Sequence, residues 1–160
     1  MSRLFAPLAI CTMLAACATS PLDTSRVDSR ATPSQVAGRA VQHGERVQWG
    51  GSIVSVDNRG RATWIEVLSY PEAYDGFPNT YRKSTGRFVL RYGGFLEPQD
   101  YAPGRLLTVV GTVDSLVTTA VGQTQFLVPL IQAEQLKLWD KKYGGGAPRL
   151  TFGVGIGVGF

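Results

Sequence analysis

The chain has 160 residues, of which 44% are hydrophobic and 18% are charged, and its formal net charge is +4 at neutral pH. This length excludes a large multi-domain enzyme, and the hydrophobic content excludes a disordered polymer for most of the chain. With two cysteines and one histidine, a single chain has too few ligands for a Cys₄, Cys₂His₂ or triple-histidine zinc site.

The first 16 residues have the organisation of a signal peptide. An uncharged run from Leu4 to Ala16 follows Arg3, and it is shorter than the roughly 20 residues that a membrane-spanning helix needs. The run ends in Leu14-Ala15-Ala16-Cys17, which resembles the lipobox of bacterial lipoproteins. We therefore predict residues 1–16 to be a lipoprotein signal peptide, cleaved between Ala16 and Cys17, with Cys17 acylated and held in membrane lipid. An ordinary signal peptide that happens to contain a cysteine is the alternative.

A polar segment follows the predicted lipidation site. Residues 17–43 are rich in Ser, Thr, Pro and Arg and contain few large apolar side chains, which predicts a flexible, lipidated tether. A short first element over residues 36–41 is compatible with this composition. Ala18, and not aspartate, follows the cysteine, and by resemblance to enterobacterial lipoproteins this implies transfer to the outer membrane.

Residues 44–143 are predicted to form an all-β domain. Alternation of apolar and polar residues indicates strands at 47–56, 63–68, 86–92, 105–113 and 124–130. The apolar phase changes at Gly50-Gly51, which predicts a bulge or bend there, and residues 57–60 are predicted to form a turn. Pro129 places the end of its strand at a sheet edge. The pattern G-R-x-x-T-V-x-G-x-V at 104–113 resembles the middle of OB-like barrels, so we predict a small OB-like barrel of about five to six strands.

The glycine-rich C-terminal region, residues 144–160, is predicted to be a strand or a tail. Residues 151–160 alternate apolar side chains with glycine and match the roughly 9–11 residues of a membrane-spanning β-strand. A single strand cannot cross a membrane because its backbone groups would be unpaired in lipid. We therefore expect this segment to pair with an outer-membrane protein, with copies of itself or with the edge of its own domain. A disordered tail lying on the membrane is the alternative.

Glu66 is the best single candidate for a chemically active residue. It is a carboxylate in an otherwise apolar strand, so we expect it to be half-buried with a perturbed pKa. A carboxylate on the barrel exterior, either solvated or paired with an arginine, is the alternative. No histidine, cysteine or second carboxylate recurs at a fixed spacing from it. The sequence therefore predicts no enzyme, no cofactor and no metal site.

The long loop after the second strand carries the candidate ligand surface. Its aromatic rings form either a sugar-binding platform or a packed lid over the barrel mouth. Two nearby arginines complete the set, which is Tyr70, Tyr74, Phe77, Tyr81, Arg82 and Arg87. Export removes the protein from cytoplasmic nucleic acid, so we predict no nucleic-acid partner despite the OB-like pattern. An anionic lipid headgroup or a lipopolysaccharide phosphate is the more available polyanion.

Several spaced blocks, together with the lipobox, resemble the Slp-type outer-membrane lipoproteins over roughly residues 44–139. The blocks include V-x-W-G-G-x-I at 47–53, F-L-E-P-x-x-Y at 95–101 and G-R-x-x-T-V-x-G at 104–111. Glu97 and the stretch 123–127 depart from the family pattern. The resemblance implies a Gram-negative outer-membrane lipoprotein associated with starvation, without established catalytic residues. We expect a lipid-anchored structural or interaction protein that faces the periplasm and acts in envelope or starvation stress. The alternative is a periplasmic ligand-binding barrel for a glycan or a lipid headgroup.

Overall fold

The computed structural model describes residues 22–40 and 43–140. The predicted signal peptide, Ala16, Cys17 and the glycine-rich segment 144–160 lie outside the described residues. The elements in chain order are α1 (Pro33–Ala37), β1 (Arg46–Arg59), β2 (Ala62–Tyr70), β3 (Gly86–Tyr92), β4 (Leu106–Val121) and β5 (Thr124–Leu138). In this part of the chain no helix is long and apolar enough to span a membrane.

The five strands close into a barrel in the order β1-β2-β3-β5-β4. Neighbouring strands are antiparallel except β3 and β5, which run parallel. This strand order confirms the predicted OB-like barrel. Alternate side chains of each strand point inward, as the period of two requires, and form one continuous core. Its fully buried members include Val47, Ile65, Val67, Phe88, Leu90, Leu107, Val109 and Ile131.

In the first two strands, the bulge and the turn lie at positions that differ from those predicted. β1 passes through Gly50 and Gly51 without interruption, and the predicted bulge lies three residues later, where Val54 is the extra residue in the pairing with β2. Gly51 is required for a different reason, since a Cβ at this position would overlap the carbonyl of Leu68 on the neighbouring strand. The predicted turn at 57–60 is wrong: Arg59 pairs with Ala62, so the turn lies at residues 60–61, where Gly60 has a φ of 60°.

The last two strands are longer than predicted and leave the barrel together. β1 pairs with β4 over residues 106–112 only, and β3 pairs with β5 over residues 130–132 only. Residues 115–129 pair with each other across the β4–β5 hairpin and with no other strand among the described residues. We call residues 115–129 the hairpin arm. Pro129 lies just before the pairing with β3 begins, where β5 has an unpaired edge, but the strand does not end there as predicted and continues to Leu138.

Residues 28–37 pack against one end of the barrel. Thr32 caps α1 through a reciprocal hydrogen-bonding arrangement with Gln35, and Val36 is fully buried in the core. The indole Nε1 of Trp49 donates to the carbonyl oxygen of Ala31 at 2.8 Å. The structure therefore differs here from the flexible tether predicted for residues 17–43. The helix also begins three residues before the element predicted at 36–41, because Thr32 supplies a cap that the apolar pattern does not reveal.

Candidate functional site

Glu66 lies on the outward face of β2, and its partner is Arg87 on β3. Arg87 Nη1 donates to Glu66 Oε1 at 2.7 Å, and the side chain of Glu66 is 15% exposed. The two residues are diagonal neighbours across the antiparallel strand pair. Of the two possibilities that the sequence left open for Glu66, the structure shows pairing with arginine.

The hairpin arm and the outward face of β2 and β3 enclose two pockets. The first, about 300 Å³ in volume, we call the arm pocket. It lies between α1, the strands and the arm, and is lined by Pro33, Ser34, Ala37, Leu68, Arg87, Phe126, Leu127 and Val128, among others. The second, about 280 Å³, lies beside the β4 strand of the arm and includes Trp64, Glu66, Val89 and Val117 in its lining. The Glu66–Arg87 ion pair therefore stands between the two pockets.

The hairpin arm exposes apolar side chains beside the arm pocket. Phe126 is 47% exposed and Leu127 is 59% exposed. The sequence contains no charged residue from Ser115 to Ala133, a stretch that includes the whole arm. Exposed clusters of apolar side chains on a soluble domain usually mark an interaction surface. The sequence analysis missed this site because it ended β4 at residue 113, although the long uncharged stretch was a visible signal.

The structure does not bring the six predicted ligand-surface residues together. Phe77 packs edge-to-face on Trp139, with ring centroids 5.2 Å apart, so this ring covers the outside of the barrel and not its mouth. Tyr74 and Tyr81 are exposed on the loop. The three remaining members occupy three separate places: Tyr70 beside the pocket next to Glu72, Arg82 on an exposed turn and Arg87 in the arm pocket.

The loop after β2 contains a buried carboxylate that was not singled out from the sequence. Gln48 Nε2 donates to Glu72 Oε2 at 3.0 Å, whereas the buried Oε1 has no hydrogen-bond partner. Burial raises the pKa of Glu72 to about 7, and the hydrogen bond from Gln48 opposes this shift. Glycine at position 50 makes room for the carboxylate, because a Cβ there would lie 3.0 Å from Oε1. Strand periodicity gives no signal for a loop residue of this kind.

Hydrogen bonds to Thr108 hold the same loop against β4. Thr108 Oγ1 donates to the carbonyl oxygen of Gly76 at 2.7 Å and accepts from Trp139 Nε1 at 2.9 Å. Within residues 22–40 and 43–140, no three His, Cys, Asp or Glu side chains lie together as a possible metal site. The loop after β2 is therefore fastened to β4 and covers the buried carboxyl group of Glu72.

Residues 14–151 match the family model described as the outer membrane lipoprotein Slp family. The chain belongs to this Slp family. The match confirms the resemblance seen in the sequence and identifies an outer-membrane lipoprotein of the envelope. It also includes residues 14–17, where the predicted lipobox lies.

Three relatives of this Slp-family chain show the extent of the similarity. The uncharacterized lipoprotein YeaY of Escherichia coli K12 is 31% identical over 132 residues, which cover 79% of this chain and 67% of YeaY. The outer membrane protein Slp of the same organism is 25% identical over 124 residues, which cover 69% of this chain and 65% of Slp. An uncharacterized protein of Haemophilus influenzae is 32% identical over 98 residues, which cover 61% of this chain and 53% of that protein. The chain thus matches about two thirds of the length of the two E. coli relatives and about half of the third.

The solved structures that match this chain have low sequence identity and low TM-scores. The mitochondrial single-stranded DNA-binding protein Rim1 of S. cerevisiae gives a TM-score of 0.37 at 14% identity, covering 61% of this chain and 95% of Rim1. An OBody bound to hen egg-white lysozyme gives a TM-score of 0.39 at 13% identity, and the match covers 70% of this chain and 91% of the OBody chain. The assignment of the fold rests on the strand order.

Proposed function

We propose that this Slp-family protein is a non-enzymatic interaction module, anchored in the outer membrane through acylated Cys17 and facing the periplasm. The anchor is supported by small residues before Cys17 and by a family match that includes this segment. The interaction role rests on one observation, the uncharged hairpin arm that exposes Phe126 and Leu127 beside the arm pocket. A role without catalysis is supported by the pairing of Glu66 with Arg87.

The position of the N-terminal segment supports the orientation. Leu22 lies in a pocket that is also lined by Gln48 of β1 and Lys137 of β5, the two strands that flank β4. In a ring ordered β1-β2-β3-β5-β4, β4 is opposite the β2–β3 pair, and the arm pocket is outside that pair. Four residues lie between Cys17 and Leu22, and the five residue steps from one to the other reach roughly 17 Å. We propose that the anchor lies nearer to the β4 side than to the arm pocket, so that the arm pocket faces away from the membrane.

Two measurements test this proposal. Cys17→Ser should move the protein from the membrane fraction to the soluble fraction, and intact mass should show acyl chains on the native protein only. A photo-cross-linking residue at position 127 in living cells should join the protein to an envelope partner, whereas the same residue at exposed position 61, on the β1–β2 turn, should not. A membrane-bound Cys17→Ser variant, or an arm without adducts, would contradict the proposal.

A ligand-binding role on the other side of the barrel is the second candidate. The fully exposed ring of Tyr74 borders a pocket of about 370 Å³ that also contains Asp75 and Lys137. An exposed ring beside charged side chains suits a glycan or a lipid headgroup. Saturable binding of lipopolysaccharide or of a defined oligosaccharide, lost in Tyr74→Ala and retained in Tyr81→Ala, would support this candidate.

The physiological role and the absence of nucleic-acid binding are also proposals. A role in envelope or starvation stress is supported by membership of the Slp family. Absence of nucleic-acid binding is supported by two basic residues of β3, Arg87 and Arg91, which are engaged by Glu66 and Gln132. The stress role would be contradicted if a deletion strain survives starvation at the wild-type level. The absence of nucleic-acid binding would be contradicted if the purified protein retains single-stranded DNA at physiological salt.

A further inference from the structure

The second of the two pockets beside the hairpin arm is lined mainly by polar side chains. One wall is the outward face of β1 and β2, where Asp57 is opposite Trp64 and Ser55 is opposite Glu66 in the strand register. The other wall is the arm segment 117–119. We call this pocket the Trp64 cleft. Its volume of about 280 Å³ is close to the lower end of the roughly 300–1,000 Å³ usual for small-molecule sites.

Trp64 supplies an aromatic surface to this cleft. It is half-buried on the outward face of β2. The guanidinium carbon of Arg59 lies over the indole, 5.6 Å from the ring centroid, and Arg59 Nε donates to Asp57 Oδ2 at 2.6 Å. These contacts favour one orientation of the ring. The π face of an indole carries partial negative charge, so it attracts the polarised C–H bonds on the apolar face of a sugar ring.

The charged side chains of the Trp64 cleft belong to two ion pairs. Arg59 is paired with Asp57, and Glu66 is paired with Arg87 at its border. The formal charges cancel within each pair, so the lining offers no unpaired cation to a phosphate group. Each guanidinium keeps N–H groups, and each carboxylate keeps lone pairs, beyond those used in its ion pair. The cleft therefore favours a neutral ligand that both donates and accepts hydrogen bonds over an anion.

Three hydroxyl groups complete the polar lining of the cleft. They belong to Ser55 of β1 and to Thr118 and Thr119 of the arm. Within residues 22–40 and 43–140 no side-chain hydrogen bond engages these hydroxyls, so they are available to a ligand. Val89 and Val117 add two apolar contacts. Hydroxyls, carboxylates and guanidinium N–H groups around one aromatic ring match the hydroxyl and C–H groups that a saccharide presents.

We propose that the Trp64 cleft binds a neutral saccharide, with one pyranose unit against the Trp64 ring and its hydroxyls bonded to Asp57 and Arg59. This chemistry is that of envelope glycans built from hexose or N-acetylhexosamine units, which an outer-membrane lipoprotein can reach. The site goes beyond the proposed interaction role, because it does not use the exposed side chain of Leu127. It is also separate from the pocket of Tyr74, with which it shares no lining residue.

Calorimetric titration of the full-length mature protein, purified in a sugar-free detergent, tests the inference. The probes are chitotetraose, built from N-acetylglucosamine, and maltotetraose, built from glucose. At least one probe should bind saturably, and the probe that binds identifies the sugar unit. Trp64→Ala should abolish this binding, whereas Tyr81→Ala, which removes an exposed ring outside the cleft, should leave it unchanged. Asp57→Asn keeps the shape of the side chain and should weaken binding about tenfold.

Four results would overturn the inference. The first is that neither probe binds in the millimolar range, and the second is that Trp64→Ala binds as the wild type does. If Trp64→Ala does not fold, Asp57→Asn and Thr118→Val take its place, and wild-type affinity in both is the third. The fourth is binding of lipopolysaccharide alone, which would indicate a phosphate site. Loss of binding in Tyr74→Ala with retention in Trp64→Ala would assign the saccharide to the other pocket. Cross-linking at position 127 tests the interaction role separately.

Discussion

Replacing Glu72 with glutamine should abolish the dependence of the free energy of unfolding on pH that the native protein shows between pH 4.5 and about pH 7. The pKa of Glu72 rises from an ordinary 4.5 to about 7 because its carboxyl group is buried and Oε1 has no donor. At about 1.4 kcal/mol for each tenfold change in proton affinity, this difference corresponds to roughly 3 kcal/mol. The carboxyl is buried, so solvent screening reduces this value little.

The sign follows from which state holds the proton. Between pH 4.5 and 7 the folded protein keeps the proton of Glu72 and the unfolded chain releases it. The stability contribution is therefore fully present below pH 4.5, decreases as the pH rises to 7 and is constant above that. Glutamine imitates the neutral carboxyl at every pH. We expect Glu72→Gln to match the wild type at pH 4 and to exceed its free energy of unfolding by up to roughly 3 kcal/mol at pH 8.

Urea denaturation from pH 4 to pH 8, followed by tryptophan fluorescence, measures this difference. Glu97→Gln is the matched control, since Glu97 is an exposed carboxylate on the opposite end loop and its replacement should leave the pH profile of the wild type unchanged. The reasoning is refuted if Glu72→Gln keeps the wild-type pH profile, or if it is the less stable protein at pH 8.

Three further substitutions test the packing. Gly51→Ala should destabilise the barrel by about 1–3 kcal/mol in urea denaturation, because its Cβ overlaps the Leu68 carbonyl, whereas Gly93→Ala meets no atom within 4 Å and should be neutral. Trp49→Phe removes the hydrogen bond to Ala31 and should cost about 1 kcal/mol and speed proteolysis before residue 40, unlike Trp64→Phe on the outward face. Leu127→Ser, at a 59% exposed position, should lower binding of a hydrophobic dye without lowering the melting temperature.

The sequence was most informative where local chemistry and tertiary structure agree. β3 was predicted at its observed bounds, 86–92; in the structure Gly86, with a φ of 118°, ends the preceding loop and two glycines follow the strand. β5, predicted to end at residue 130, continues to Leu138, and β4, predicted to end at residue 113, continues past Gly111 and Asp114. In the structure both positions are accommodated by register shifts in the β4–β5 pairing, which the alternation of single residues does not encode.

The missed features depend on contacts between distant parts of the chain. Glu72 is significant because Gln48 and Gly50, more than 20 residues earlier, surround it. The segment before β1 looked like a linker because its composition is polar, yet Pro33 and Val36 are buried and Ala31 packs against the core. Composition describes what a segment can bury on average, whereas a few well-placed side chains decide where it lies.

The two faces of the barrel should respond to mutation independently. The loop that carries Glu72 is fastened to β4 through Thr108, on the side where Leu22 lies. The arm pocket lies outside β2 and β3 and shares Pro33 in its lining with the pocket that contains Glu72, but Leu127 and Glu72 line different pockets. Substitutions that are far apart and share no partner usually have additive effects. Combining Glu72→Gln with Leu127→Ser should therefore change stability as the first variant does and surface binding as the second does, because Glu72 and Leu127 line different pockets.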